Sequence, residues 1–207
     1  MRILSMLLAA VLAVAGHSAV AATTTVFQDD FQADDTGGTG FSTTTSLTNW
    51  TVVGGGNVDI LPSAGSFPGC VDTCIDLDGS FNSTPARLET LAAFSFVTGT
   101  TYTLTLDIPG GQQADPFTFG ILGGPTQSVS GYMAPLSPVL SFTAGTDFAA
   151  GLFIQMDTSV SNNLGPWLDT VTLTARTPDP GTIPLPAGMW LLLSALGAGV
   201  VVRRRRG

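Results

Sequence analysis

Residues 102–108 read Tyr-Thr-Leu-Thr-Leu-Asp-Ile, a stretch in which apolar and polar side chains alternate at every step. Successive side chains of a β-strand point to opposite faces, so the four apolar residues from Tyr102 to Ile108 would share one face. Residues 167–174, Trp-Leu-Asp-Thr-Val-Thr-Leu-Thr, alternate in a similar way. Two more apolar segments, 92–97 and 148–157, also read as strands.

Glycine-rich turns separate these segments, for example at 54–56, 109–111 and 123–125. No helical period of 3.6 residues appears between them. Many short strands with frequent turns are typical of two packed antiparallel sheets. We therefore predict an all-β fold, an antiparallel β-sandwich, for residues 23–177.

Charge is distributed unevenly along the 207 residues. The chain has 7 basic residues against 15 acidic residues, a formal net charge of −8. Between residues 23 and 187 only Arg87 and Arg176 accompany all 15 acidic residues, which leaves −13. A nucleic-acid partner needs a basic face to meet its phosphates, so this composition excludes nucleic acid as a partner of the central region.

The N-terminus has the three parts of a secretory signal peptide. Arg2 supplies a positive start, an apolar run extends from Ile3 to Ala15, and the small residues Ala19-Val20-Ala21-Ala22 form a cleavage site. We predict a signal peptide over residues 1–22 and hence export. The alternative is an N-terminal membrane anchor.

The C-terminus reads as a linker followed by a membrane span. Residues 178–188 form a Pro-rich linker that ends in the hexapeptide Ile183, Pro184, Leu185, Pro186, Ala187 and Gly188, which is the sorting motif in the resemblance given below. Residues 189–207 are predicted to be a transmembrane helix with an Arg-rich cytoplasmic tail. The stretch from residue 183 to 202 is long enough to cross a bilayer core of about 30 Å, and the positive-inside rule places the arginines in the cytoplasm.

This tail resembles the PEP-CTERM class of bacterial sorting signals in its VPLPA-CTERM variant, with Ile183 where that variant has Val. The resemblance implies a Gram-negative exporter that also makes exopolysaccharide. It implies as a partner an exosortase, a membrane transpeptidase that cuts near the motif. An inner-membrane-anchored precursor would then reach the cell surface or the extracellular space. The alternative is a permanent tail anchor.

A second resemblance covers most of residues 26–175. Phe27-Gln28-Asp29-Asp30-Phe31, residues 74–80 and the closing Leu168-Asp169-Thr170-Val171 occur in an order similar to that of galactose-binding-like jelly rolls, in which Asn often stands where this chain has Thr170. The resemblance implies a jelly-roll-like sandwich. That fold carries carbohydrate-binding modules, adhesion domains and structural units alike.

Catalytic chemistry is restricted by the scarcity of histidine and cysteine. The one histidine, His17, lies in the predicted signal peptide, which removes Ser-His-Asp catalysis and His-ligated zinc from the mature chain. Cys70 and Cys74 are the two cysteines, and export favours a small disulfide between them. Free thiols or a metal site are the alternatives.

No cofactor is indicated with certainty, but Ca²⁺ is a candidate. Asp76 and Asp78 precede Gly79 as in a fragment of a calcium loop, and Asp29 lies in an acidic N-terminal segment. The jelly-roll resemblance would allow a calcium site that joins this segment to the last strand near Asp169. The alternative is that these aspartates cap turns and keep the surface soluble.

Aromatic residues offer a route to sugar binding. Trp167 and Tyr132 are candidates for stacking on a sugar ring, with core or edge packing as the alternative for each, while Trp50 is expected in the core. The predicted function is a non-enzymatic structural or carbohydrate-associating module on the cell surface or in the extracellular matrix. The alternative is a polysaccharide-acting hydrolase that uses Asp or Glu carboxylates, although Glu89 is the one glutamate.

Overall fold

The structure, a computed structural model, describes residues 21–65, 67–80, 84–111, 115–130, 135–157 and 165–178. The strands within these residues are, in chain order, β1 (Thr23–Asp29), β2 (Ser42–Thr44), β3 (Trp50–Val53), β4 (Val58–Leu61), β5 (Cys74–Asp76), β6 (Arg87–Thr90), β7 (Phe94–Phe96), β8 (Thr101–Asp107), β9 (Gly110–Gly111), β10 (Phe117–Ile121), β11 (Thr126–Val129), β12 (Val139–Thr143), β13 (Phe148–Ala150), β14 (Leu152–Met156), β15 (Pro166–Leu168) and β16 (Thr170–Arg176). A 3₁₀ turn covers Gln32–Asp34. No other helix occurs in this part of the chain.

The described strands form four sheets. Sheet I has the strand order β1-β16-β8-β12, sheet II has β11-β10-β14-β6-β3, sheet III has β2-β4-β5-β15-β9, and sheet IV is the pair β13-β7. All of these strand pairings are antiparallel. From β8 to β16 the chain passes between sheets I and II several times. Strands of the two sheets thus alternate along the chain, as they do in a jelly roll.

The predicted core faces of these sheets meet in one hydrophobic cluster. Sheet I contributes Leu104, Leu106 and Leu173, and sheet II contributes Leu88, Phe119 and Ile154. Residues Ala22–Thr177 form one compact unit. The prediction of an all-β antiparallel sandwich is confirmed.

The expectation of only two sheets was too simple, because two predicted strands each serve two sheets. Residues 148–157 divide at Gly151 into β13 and β14, and residues 167–174 divide at Asp169 into β15 and β16. A Cβ at position 151 would lie 2.8 Å from Thr90 Oγ1, so the chain changes sheets where only glycine fits. Thr90 Oγ1 accepts the next backbone N–H, that of Leu152, at 2.9 Å.

Truncation of a core side chain should cost far more stability than a change on the opposite face of the same strand. Leu104 is 1% exposed within the shared core. We expect Leu104→Ala to lower the free energy of unfolding by about 2–5 kcal/mol, through lost burial and a cavity. The matched control Thr103→Val should change it by less than about 0.5 kcal/mol. Urea unfolding followed by circular dichroism measures both, and equal losses would contradict the assigned strand register.

Candidate functional site

The outer face of sheet II carries two rows of mainly polar residues aligned across its five strands. One row consists of Val53, Arg87, Gln155, Thr118 and Ser128. The next row consists of Thr51, Glu89, Phe153, Gly120 and Thr126. The residues between these rows point to the core because side chains alternate along each strand.

Arg87, on β6 of this face, is held by three neighbours. Its Nε donates to Glu89 Oε1 at 2.7 Å, and its Nη1 donates to Gln155 Oε1, also at 2.7 Å. The guanidinium carbon lies 4.4 Å from the ring centroid of Phe153, a cation–π distance. The side chains of Arg87 and Glu89 are 29% and 26% exposed, so the charged pair is anchored but reaches solvent.

A groove of about 370 Å³ opens beside this arginine. Its polar lining consists of Arg87, Thr118, Ser128, Gln155 and Asp157. Thr118 Oγ1 and Ser128 Oγ lie 2.9 Å apart. Guanidinium, carboxamide, hydroxyl and carboxylate groups provide both donors and acceptors, the mixture needed to bind a ligand that carries many hydroxyl groups.

No motif in the sequence indicates this groove. The one signal that the sequence holds is that Arg87 is one of two arginines in a strongly acidic region. Strand alternation could place Arg87 and Glu89 on one face, but only strand pairing brings Gln155 and Phe153 to them from a distant part of the chain.

The predicted calcium ligand Asp29 is buried and accepts hydrogen bonds from nitrogen donors. Its Oδ2 accepts from Trp50 Nε1 at 2.8 Å and from Asn49 Nδ2 at 3.2 Å. Its Oδ1 accepts from the backbone N–H of Phe31 at 3.0 Å. Trp50 is fully buried, as expected for a core residue.

Asp76 and Asp78 lie together in the interior of the unit, at and after the end of β5. Asp76 Oδ1 accepts from the backbone N–H groups of Asp78 and Gly165, both at 3.0 Å, and Oδ2 accepts from Trp167 Nε1 at 3.3 Å. Burial raises the pKa of Asp76 to about 7, and the nearby Asp59 carboxylate adds to the rise, while the three hydrogen bonds oppose it.

Asp169 lies at the junction of β15 and β16. Burial raises its pKa, and the negative charges of Asp107, Asp72 and Asp30 add to the rise. Within the described residues, no group of three or more His, Cys, Asp or Glu side chains is arranged to hold a metal ion. The calcium site formed by Asp29, Asp76, Asp78 and Asp169 stays a prediction.

The predicted disulfide is confirmed, since Cys70 and Cys74 are joined with an S–S distance of 2.07 Å. Both cysteines belong to a small apolar cluster with Leu61, Phe67 and Trp167. The Trp167 ring is 4% exposed and packs edge-on against Phe67. The stacking role of Trp167 stays a prediction.

Several predicted features lie outside the described residues. They are Tyr132, the signal peptide up to residue 20, the sorting motif 183–188 and the transmembrane segment 189–207. Within the described residues, no helix has the length and apolar character needed to cross a membrane.

Carbohydrate-binding modules are among the solved structures that resemble this chain. A family 35 module from Cellvibrio japonicus matches at 14% identity and a TM-score of 0.40, over 67% of this chain and 98% of the module. A family 35 module from Clostridium thermocellum matches at 11% identity and a TM-score of 0.39, over 60% of this chain and 91% of the module.

An arabinose-bound α-L-arabinofuranosidase matches at 10% identity and a TM-score of 0.44, over 62% of this chain but only 23% of the enzyme. No protein-family model matches the chain, and no curated protein matches it. Similarities this low assign none of these proteins' ligands or reactions to this chain.

The buried Asp76 carboxyl should make the folded state less stable as the pH rises. The pKa of Asp76 is about 7 in the folded state and 3.8 in the unfolded chain. The contribution of this carboxyl to the free energy of unfolding is therefore complete below pH 3.8 and is lost as the pH rises towards 7. We expect the free energy of unfolding of wild type to fall across this range when it is compared with that of Asp76→Asn. The fall should be on the order of 1.4 kcal/mol per pH unit, or a few kcal/mol in total.

Urea unfolding at a series of pH values measures this difference. The control Asp72→Asn alters an exposed aspartate and should keep the wild-type profile. If wild type and Asp76→Asn ran parallel from pH 4 to 7, the raised pKa of Asp76 would be refuted.

Proposed function

We propose that this chain is an exported surface protein whose β-sandwich binds a neutral polysaccharide in the groove of sheet II, without catalysing a reaction. The observation that carries the proposal is the arginine fixed between Glu89, Gln155 and Phe153. A donor group held in place before binding loses little conformational entropy when a ligand arrives. The aligned hydroxyl and amide groups beside it suit the repeated hydroxyls of a sugar chain.

The charge of the region favours an uncharged glycan. The stretch from residue 23 to 187 carries a formal charge of −13, which repels polyanions such as uronate polymers. Glu89 and Asp157 add negative charge close to the groove itself. The positive charge of Arg87 is offset by Glu89 at 2.7 Å, so the groove offers hydrogen bonds rather than net attraction for an anion.

Export and sorting belong to the same proposal. The signal-peptide pattern of residues 1–22 and the three-part C-terminal tail support secretion followed by exosortase processing near residues 183–188. Processing would release the sandwich from its inner-membrane anchor to the cell surface or the extracellular matrix.

Removal of Arg87 should weaken polysaccharide binding by the full-length protein. We expect Arg87→Ala to reduce affinity about tenfold, equivalent to about 1.4 kcal/mol, because it removes the fixed donor at the centre of the groove. Affinity electrophoresis against xylan, arabinan, galactan and mixed-linkage β-glucan, with polygalacturonate as the acidic probe, measures the change.

Arg176→Ala is the matched control, since it removes the other arginine of the region from a different sheet. It should leave binding unchanged. Equal losses in both variants, or retention of the wild type by polygalacturonate alone, would contradict a neutral-glycan groove. Release of reducing sugar from any of these polymers would favour the hydrolase alternative.

The mature mass tests processing separately from binding. Intact-mass measurement of the protein recovered from its native cells should give an N-terminus near residue 23 and a C-terminus near residues 186–188. A mature chain that keeps Arg203–Arg206 would reject exosortase cleavage and leave a permanent tail anchor.

A further inference from the structure

The Arg87 guanidinium uses only part of its hydrogen-bonding capacity within the protein. Nε donates to Glu89 Oε1 and Nη1 donates to Gln155 Oε1, both at 2.7 Å. A guanidinium carries one N–H group on Nε and two on each terminal nitrogen. Nη2 donates no hydrogen bond to the residues that the structure describes. Both N–H groups of Nη2 and the second N–H group of Nη1 are therefore left for a ligand.

The position of the guanidinium is fixed although Arg87 lines the groove and is partly exposed. Its carbon lies 4.4 Å over the ring of Phe153. Phe153 belongs to the outer face, since its strand neighbours Leu152 and Ile154 lie in the core, yet it is only 6% exposed. The ring supports one face of the guanidinium, and the two acceptors hold its edge. The remaining N–H groups thus keep their direction before a ligand binds.

Donors on both terminal nitrogens favour a ligand with two neighbouring oxygens. Nη1 and Nη2 of a guanidinium lie side by side in one plane, which is why arginine binds paired oxygens better than lysine does. A carboxylate and a phosphate present such a pair. Two hydroxyl groups on adjacent carbons of a sugar ring, a vicinal diol, present one as well and carry no charge.

The other groups of the groove distinguish these ligands. A hydroxyl group that accepts a hydrogen bond from the guanidinium still has its own hydrogen to donate. Asp157, Thr118 and Ser128 line the same groove and supply oxygen acceptors for those hydrogens. A carboxylate or phosphate has no hydrogen to offer and would meet the negative charges of Asp157 and Glu89. The combination of fixed donors and nearby acceptors therefore suits a diol.

We propose that Arg87 binds a vicinal diol, so that the groove selects polysaccharides whose residues keep free hydroxyl groups on adjacent carbons. This inference rests on the proposed polysaccharide groove and names its class of ligand. In a 1,4-linked pyranose chain such as xylan, the hydroxyl groups on carbons 2 and 3 form the pair. In a 1,3-linked chain the linkage occupies carbon 3, and the free hydroxyl groups on carbons 2 and 4 are not adjacent.

Removal of the diols from the polymer tests the proposal with the full-length protein. Periodate breaks the carbon–carbon bond of a vicinal diol, and borohydride then reduces the resulting aldehydes, so the polymer stays uncharged. We expect this treatment to weaken binding about tenfold for each of xylan, arabinan, 1,4-linked galactan and mixed-linkage β-glucan that retards the wild type in affinity electrophoresis. Treatment with borohydride alone is the control and should leave binding unchanged. A linear 1,3-linked β-glucan should not retard the protein.

Arg87→Lys separates recognition of a pair of oxygens from a simple effect of charge. Lysine keeps the positive charge but replaces the paired donors by one ammonium group. We expect Arg87→Lys to bind the untreated polymers about tenfold more weakly and to lose most of the preference for untreated over periodate-treated polymer. Arg176→Lys, the same change on sheet I, should keep both wild-type affinity and preference. Both variants should melt within a few degrees of wild type, which checks that the fold is intact.

The outcomes distinguish the diol from the groove itself. Equal binding of wild type to treated and untreated polymer, retardation by the 1,3-linked glucan, or wild-type affinity of Arg87→Lys would overturn the diol assignment and leave the polysaccharide groove standing. Retardation by none of the four untreated polymers would overturn both proposals.

Discussion

The register between β8 and β16 is the constraint on which the other features depend. These strands pair continuously over seven residues, with Leu104 opposite Leu173 and Leu106 opposite Val171. A slip of one residue would turn these core side chains to solvent and bury a row of threonines in their place. The loss of apolar burial, about 25 cal/mol for each Å² returned to water, makes such a slip prohibitive for the sandwich.

The same alternation produces two different surfaces on the two sheets. On sheet I the outward positions of β8 and β16 are mainly threonine, and Asp107 and Arg176 are the charged residues among them. On sheet II they include Arg87, Glu89 and Gln155, whose side chains bond to one another. This partly exposed arrangement around Arg87 is the one to which we assign ligand binding in the proposed function.

Two buried aspartates contact tryptophan side chains, Asp29 between sheets I and II and Asp76 within sheet III. Asp29 and Asp76 each accept a hydrogen bond from a tryptophan indole N–H, those of Trp50 and Trp167. A buried carboxylate is costly unless nearby donors satisfy it, and here backbone N–H groups complete its partners. At these two positions the carboxyl groups accept hydrogen bonds from nitrogen donors, and the predicted calcium site stays a prediction.

The sequence by itself determined the fold class, the disulfide and the acidic character of the region. Strand alternation and turn residues are local properties, and Cys70 and Cys74 lie only four residues apart. Alternation also places Thr103 and Thr105 on a face opposite to Leu104, whatever their neighbours are. Only the tertiary structure decided where β13 ends and β14 begins, which aspartates meet tryptophans, and which side chains surround Arg87. Those outcomes depend on pairing between segments far apart in the chain, such as β6 with β14, and pairing is chosen by the packing of the whole core rather than by any local pattern.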